Sequence, residues 1–131
     1  MKHLQTILHV EDEPDIREIA AIGLAEVSGY TVTSCATPTE ALEAGRSDPQ
    51  PDLILLDVMM PEMDGPALLA RLRELPGLEQ VPVAFVTAKT DERDVAPLKA
   101  LGAMGVLAKP FDPMTVGEKL QSMWDTYVGS R

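Results

Sequence analysis

The chain has 131 residues, which suits one domain of ordinary size and leaves no room for a second. Hydrophobic residues make up 45% of the sequence, enough for a buried core. The net charge of −10 argues against binding to nucleic acid or docking on anionic membranes, because both of these partners attract Lys and Arg.

Cysteine content and hydropathy narrow the class of protein further. A single cysteine, Cys35, excludes an internal disulfide. The first six residues lack the apolar stretch of a secretory leader, and no apolar run approaches the length of a membrane span. We therefore expect a cytoplasmic protein with no membrane partner.

Five short apolar runs recur along the chain and predict β-strands. The inner runs are almost continuously hydrophobic, which is typical of parallel strands that are covered on both faces. Segments with helical periodicity separate the runs, and strand–helix alternation repeated in this way predicts an α/β, doubly wound parallel sheet with five strands. The predicted strands are residues 6–10, 30–35, 53–56, 81–86 and 106–108.

The intervening helices are predicted from apolar stripes. The first stripe runs along residues 16–27, the second along 68–72, and the last along 114–127. The first stripe comprises Ile16, Ile19, Ala20, Leu24 and Val27.

Helix boundaries carry recognisable signals. Thr37 and Glu40 form a predicted capping box around Pro38, and Pro14, Pro66 and Pro113 favour helix starts. Gly29 and Gly102 suit helix C-termini. Pro97 does not fit a regular fourth helix. If this helix begins near Asp91, Pro97 lies inside it and removes a main-chain hydrogen bond. Either the helix begins near Asp94 or it is bent.

Polar residues follow four of the predicted strands. Glu11 and Asp12 follow the first strand, Asp57 the third, Thr87 the fourth and Lys109 the fifth. The carboxyl ends of parallel strands share one edge of a sheet, and open α/β sheets bind ligands at that edge. We therefore expect these side chains to form one site.

The chemistry of this predicted site is coherent. Three neighbouring carboxylates repel one another, and Mg²⁺ would relieve that repulsion while also binding phosphate oxygens. A carboxylate can attack a phosphoryl group and form an aspartyl phosphate. An ammonium group and a hydroxyl group would then neutralise the remaining phosphoryl oxygens. The residues predict a magnesium-dependent phosphoacceptor.

At these residues the sequence resembles the response-regulator receiver family of bacterial two-component systems, close in length to the single-domain chemotaxis type. The matching segments are Val-Glu-Asp-Glu at 10–13, Leu-Asp-Val-Met-Met-Pro-Glu-Met-Asp-Gly at 56–65, Val-Thr-Ala at 86–88 and Ala-Lys-Pro-Phe at 108–111. The resemblance implies a flavodoxin-like sheet in the order 2-1-3-4-5, flanked by five helices.

The resemblance also implies residue roles. Asp57 is the expected phosphoacceptor. Asp12 is an expected direct Mg²⁺ ligand, Glu11 one acting mainly through water, and the main-chain carbonyl of Met59 a further ligand. Lys109 is expected to pair with the phosphoryl group and to precede a cis bond to Pro110, and Thr87 is the expected switch hydroxyl.

One position departs from the family pattern. The family usually carries Tyr or Phe three residues before the lysine, where this chain has Val106. In the family that ring turns inward when the threonine moves. The resemblance therefore supports phosphorylation chemistry and leaves the output mechanism open.

The resemblance sets the expected partners and organisation. We expect residues 1–131 to form one receiver domain, with a core of about 5–128 and no output domain. The expected partners are a sensor histidine kinase or histidine phosphotransfer protein and a separate downstream effector. The chain is expected to act as a monomer or weak dimer, and to be a signalling domain in a phosphorelay rather than an enzyme.

Three alternative functions remain. An aspartate-nucleophile phosphatase usually needs an acid two residues after the nucleophile, where this chain has Met59. A flavin or nucleotide binder needs a phosphate cradle after the first strand, where this chain has acidic residues. A receiver-like binding module without phosphorylation is disfavoured by the intact acidic, threonine and lysine positions, although Val106 keeps it open.

Overall fold

The computed structural model describes residues 3–130 as a five-stranded parallel sheet flanked by helices. The strand order β2-β1-β3-β4-β5 confirms the prediction. The expected domain limits of 1–131 include residues 1, 2 and 131, which lie outside the described residues. The strands are β1 (Thr6–Val10), β2 (Thr31–Cys35), β3 (Leu53–Asp57), β4 (Val83–Thr87) and β5 (Gly105–Ala108).

Five helices cover the two faces of the sheet. They are α1 (Pro14–Ala21), α2 (Pro38–Gly45), α3 (Gly65–Arg73), α4 (Glu92–Ala100) and α5 (Val116–Gly129). Alternate residues of each strand contribute to two separate cores, as expected for a sheet that helices cover on both faces. One core lies against α2, α3 and α4 and includes Phe85, whereas the other lies against α1 and α5 and includes Trp124.

Most of the predicted helix boundaries are confirmed. The Thr37 hydroxyl accepts a hydrogen bond from the Glu40 N–H at 3.1 Å, which is the N-cap half of the predicted capping box. The Glu40 carboxylate accepts a hydrogen bond from the Thr37 hydroxyl at 3.2 Å. Gly29 and Gly102 have φ values of 80° and 90°, the left-handed region that glycine reaches without a steric penalty. Pro97 lies inside α4, which begins at Glu92 rather than near Asp94.

The expected start of α5 at Pro113 is wrong. Residues 113–115 form a turn, and the helix begins at Val116. The Asp112 carboxylate accepts a hydrogen bond from the Met114 N–H at 2.8 Å, and the Asp112 carbonyl accepts one from the Val116 N–H at 2.9 Å. Asp112 thus stabilises a turn before the helix, which delays the helix start.

The first apolar stripe is only partly buried. Helix α1 passes into a π-helical segment, Ile22–Val27, whose wider turn shifts the later side chains around the axis. Ala20 and Leu24 are fully buried, whereas Ile19 and Val27 are 40% and 43% exposed. The predicted stripe is therefore not a single buried face.

Within residues 3–130, no helix is both long enough and apolar enough to cross a lipid bilayer.

Candidate functional site

The carboxyl ends of β1, β3, β4 and β5 meet at one edge of the sheet and carry the predicted site residues. Glu11 directly follows β1, Asp57 and Thr87 end β3 and β4, and Lys109 directly follows β5. Glu11, Asp57 and Thr87 are buried, with 0%, 2% and 4% exposure. The parallel register thus brings together side chains that are distant in sequence.

Three carboxylates form the centre of the site. Glu11, Asp12 and Asp57 each offer an oxygen, and these oxygens lie within 4.8 Å of one another. The buried Asp12 Oδ1 and Asp57 Oδ2 have no hydrogen-bond partner within the described chain. Buried carboxylate oxygens are costly without a partner, so this donor set fits a hard divalent cation.

Lys109 lies between two of these carboxylates. Its Nζ is 2.8 Å from Glu11 Oε1 and 3.1 Å from Asp57 Oδ1. Burial opposes the charge on Lys109, but the hydrogen bonds to Glu11 and Asp57 outweigh it and raise the pKa of the ammonium group. Lys109 is therefore a permanent cation beside Asp57. The bond from Lys109 to Pro110 is cis, as expected.

Burial and neighbouring charges act on the carboxyl group of Glu11. Burial raises the pKa of Glu11 to about 7, and the negative charge of Asp57 adds to the rise, although the hydrogen bond from Lys109 opposes it. The Glu13 N–H also donates to Glu11 Oε2 at 3.2 Å. Lys109 therefore does not fully offset the burial of Glu11 and its repulsion by Asp57, which again favours a cation.

The start of α3 holds the end of β3 in place. The Asp64 carboxylate caps α3 by accepting a hydrogen bond from the Ala67 N–H at 2.8 Å. A Cβ atom on Gly65 would lie 2.6 Å from the main-chain carbonyl oxygen of Asp57. The motif therefore requires glycine at position 65 because the helix start packs directly on the backbone of Asp57.

Thr87 is held by its own loop. Its hydroxyl oxygen accepts a hydrogen bond from the Lys89 N–H at 3.0 Å, and its carbonyl accepts one from the Lys109 N–H at 2.9 Å. Thr87 therefore joins the loop after β4 to the residue that pairs with Asp57.

Val106 lies beside an open pocket of about 390 Å³ between α4, β5 and α5. Met104, Met123 and Lys99 also line it. Val106 is half-buried, so the position of the missing ring is packed less fully than the central strands.

Two residues near the site were not predicted. Arg17 donates from Nη1 to the Glu11 carbonyl at 2.8 Å and to the Asp12 carbonyl at 3.3 Å. Its sequence signal was a lone basic residue within an acidic segment. The second is His9, which is buried and has two ring nitrogens without partners among residues 3–130. Burial, with the charges of Lys109 and Arg17, lowers the pKa of His9 to about 4.

The fold and the site define a domain of the doubly wound parallel class with clustered carboxylates at the carboxyl ends of its strands. The model for the response regulator receiver domain matches residues 7–121, so the chain belongs to this family of two-component signal transduction.

Curated relatives are consistent with this membership. The transcriptional regulatory protein CseB of Streptomyces coelicolor is 36% identical over 117 residues, covering 89% of this chain and 48% of CseB. The chain thus spans about half the length of this relative. The phosphate regulon transcriptional regulatory protein PhoB of Pseudomonas aeruginosa is also 36% identical, with 91% of this chain and 51% of PhoB covered.

A solved structure resembles the whole fold. The chemotaxis response regulator CheY4 of Vibrio cholerae is 31% identical, with a TM-score of 0.81 and coverage of 92% of this chain and 98% of CheY4.

Proposed function

We propose that this chain accepts a phosphoryl group on Asp57 from a phosphohistidine and so acts as a phosphoacceptor switch. The observation that carries the proposal is the asymmetric environment of the Asp57 carboxylate. Oδ1 is paired with Lys109 at 3.1 Å, whereas the buried Oδ2 has no partner in the described part of the chain. One oxygen is thus oriented and the other is left to react.

Mg²⁺ is the proposed cofactor, held by Glu11, Asp12, Asp57 and the main-chain carbonyl of Met59. When bound, it would offset the negative charge of the carboxylates and of the incoming phosphoryl oxygens. The support lies in the clustered acidic oxygens and in the absence of a partner for Asp12 Oδ1 within residues 3–130.

The proposed reaction is a transfer between two nucleophiles. Asp57 Oδ2 attacks phosphorus, the new O–P bond forms as the N–P bond to the donor imidazole breaks, and the imidazole keeps the bonding electron pair. The ammonium of Lys109 pairs with one phosphoryl oxygen. The Thr87 hydroxyl turns from the Lys89 amide and donates to another. The chain modifies only itself, which makes it a signalling domain rather than an enzyme with a separate substrate.

A histidine kinase or histidine phosphotransfer protein is the proposed donor. An apolar pocket of about 260 Å³ lies beside Lys109, lined by Ile16, Ile19, Ala88, Pro110 and Phe111. Ile19 is 40% exposed, which leaves apolar surface for a docked protein beside Lys109, the residue that pairs with Asp57.

The output is proposed to pass to a separate effector protein or along a phosphorelay, without nucleic acid contact by this domain. The net charge of −10 supports the last point. We propose that movement of Thr87 reaches α4 through Lys89, because Val106 is too short to act as a ring lever. The single-domain organisation and the monomeric or weakly dimeric state remain predictions.

Acyl-phosphate labelling tests the proposal. The protein is incubated with Mg²⁺ and acetyl phosphate, and intact mass is followed for the gain of one phosphoryl group. We expect Mg²⁺-dependent labelling of the wild type and none of Asp57→Asn, which is nearly isosteric. Asp91→Asn is the matched control, because Asp91 is an exposed carboxylate in the loop after β4.

Labelling of Asp57→Asn at the wild-type rate would exclude Asp57 as the acceptor. A folded wild type that takes up neither phosphate nor beryllofluoride would instead indicate a binding module without phosphorylation.

A further inference from the structure

Arg17 connects the first turn of α1 to the acidic loop. Its Nη1 donates to the carbonyl oxygens of Glu11 and Asp12 at 2.8 and 3.3 Å, and its main-chain N–H donates to the Glu13 carbonyl at 3.0 Å. These contacts involve the backbone of three consecutive acidic residues. Arg17 therefore acts on the loop and not on the carboxylates themselves.

The loop is also constrained from its other side. The Glu13 N–H donates to Glu11 Oε2 at 3.2 Å, and the Glu11 N–H donates to the Cys35 carbonyl at 3.0 Å. The carbonyl groups of Glu11 and Asp12 thus point toward Arg17. The N–H of Glu13, in the same peptide group as the Asp12 carbonyl, points toward the Glu11 carboxylate. Rotation of either peptide would move both acidic side chains.

We propose that Arg17 is a positioning residue for the divalent cation, fixing the two peptide planes so that the Glu11 and Asp12 carboxylates converge. This inference rests on the proposed magnesium site. Such supporting contacts around metal ligands typically contribute about 10- to 100-fold to metal affinity.

Charge and geometry make opposite predictions for this residue. A guanidinium bonded to the acidic loop repels a cation bound by that loop, so removing the charge alone would strengthen Mg²⁺ binding. Removing the loop contacts would weaken Mg²⁺ binding, because the carboxylates would lose their shared orientation. The sign of the change in affinity therefore separates the two roles.

The experiment measures Mg²⁺ affinity by isothermal titration calorimetry in the wild type, Arg17→Gln and Arg17→Lys. We expect Arg17→Gln to bind Mg²⁺ about tenfold more weakly or worse. Arg17→Lys should also bind more weakly than the wild type, because a lysine keeps the charge but loses the planar guanidinium that reaches two carbonyls. Arg46→Gln is the control, since Arg46 is an exposed arginine at the C-terminal end of α2.

A second readout needs no cation. In metal-free protein we expect faster hydrogen exchange of the Glu13 amide in Arg17→Gln than in the wild type, with urea unfolding confirming that the variant is folded. If Arg17→Gln does not fold, Arg17→Lys provides both readouts. Unchanged or tighter Mg²⁺ binding, or unchanged Glu13 exchange, would overturn the positioning role.

The two proposals fail in distinguishable ways. A wild type that binds no Mg²⁺ would contradict the proposed metal site, whereas the Glu13 exchange would still decide whether Arg17 orders the loop.

Discussion

The carboxyl-end edge of the sheet has two halves that differ in how their polar groups are held. The acidic half comprises Glu11, Asp12, Asp57 and Lys109. Short ion pairs join Lys109 Nζ to Glu11 at 2.8 Å and to Asp57 at 3.1 Å. In the threonine half, which comprises Thr87, Lys89 and Val106, the Thr87 hydroxyl holds a main-chain amide and Val106 borders an open pocket.

The difference follows from the charges involved. Buried carboxylates need compensating charge at fixed positions, because unpaired charges in a protein interior are costly. A hydroxyl bonded to a loop amide can exchange that partner for another at little cost, since a typical net hydrogen bond contributes about 1 kcal/mol. The acidic half is thus suited to binding and chemistry, and the threonine half to movement.

Mg²⁺ binding should produce the largest change in stability, and this change should depend on residues of the acidic half alone. Mg²⁺ at 100 times its dissociation constant stabilises a folded protein by about 2.7 kcal/mol. We expect most of this gain to disappear in Asp12→Ala, because Asp12 Oδ1 is proposed as a direct ligand, and to persist in Val106→Ala. Thermal unfolding with and without Mg²⁺ measures it. Equal stabilisation of Asp12→Ala and the wild type would place the cation elsewhere.

A change in pH should alter the free energy of unfolding through two groups, Glu11 and His9, whose contributions have opposite signs. The pKa of Glu11 rises from 4.5 to about 7, so the folded state holds a proton that the unfolded state releases, and this stability is lost as pH rises from 4.5 to 7. The pKa of His9 falls from 6.5 to about 4, so this contribution is lost as pH falls from 6.5 to 4. The two contributions largely cancel.

Single variants should separate these contributions in metal-free protein. On acidification from pH 6.5 to 4.5, we expect the free energy of unfolding to fall in Glu11→Gln relative to the wild type and to rise in His9→Leu, each by about 2 kcal/mol. Urea unfolding at a series of pH values measures both. Glu74→Gln, at an exposed position, is the control. Parallel curves for all four proteins would contradict both pKa shifts.

The smallest effect should lie in the threonine half. Beryllofluoride mimics the phosphoryl group on Asp57 and should draw the Thr87 hydroxyl away from the Lys89 amide. We expect hydrogen exchange to change more in residues 87–97 than in residues 105–108. A larger change on β5 would mean that another side chain takes the role of the missing ring. The conformational change would then pass through β5 despite Val106.

The sequence predicted the elements of this fold better than their surfaces. The strands and capped helices were predictable because apolar runs and capping residues such as Thr37 act locally. The exposure of Val27 was not, because the π-helical segment Ile22–Val27 changes the helical phase. This segment packs closely on the start of α5, where a Cβ on Gly23 would lie 2.7 Å from Val116 Cγ1. Pattern alone assumes a constant 3.6-residue period.

The site was predictable as a set of residues but not as a network. Strand ends indicated that Glu11, Asp57 and Lys109 would meet, since parallel strands share an edge. Lys109 pairs with Glu11 as well as Asp57, and this depends on side-chain conformations. Arg17 contacts two carbonyls, and this depends on the peptide planes of the loop. Neither leaves a periodic signal in the sequence.

Gly65 has a consequence for genetics. Any larger residue there would place its Cβ 2.6 Å from the carbonyl oxygen of Asp57. The backbone of the acceptor would have to shift, although position 65 contributes no reactive group. A random-mutagenesis screen for loss of signalling should therefore recover position 65 alongside the acidic positions, and its alleles would resemble active-site alleles rather than folding alleles.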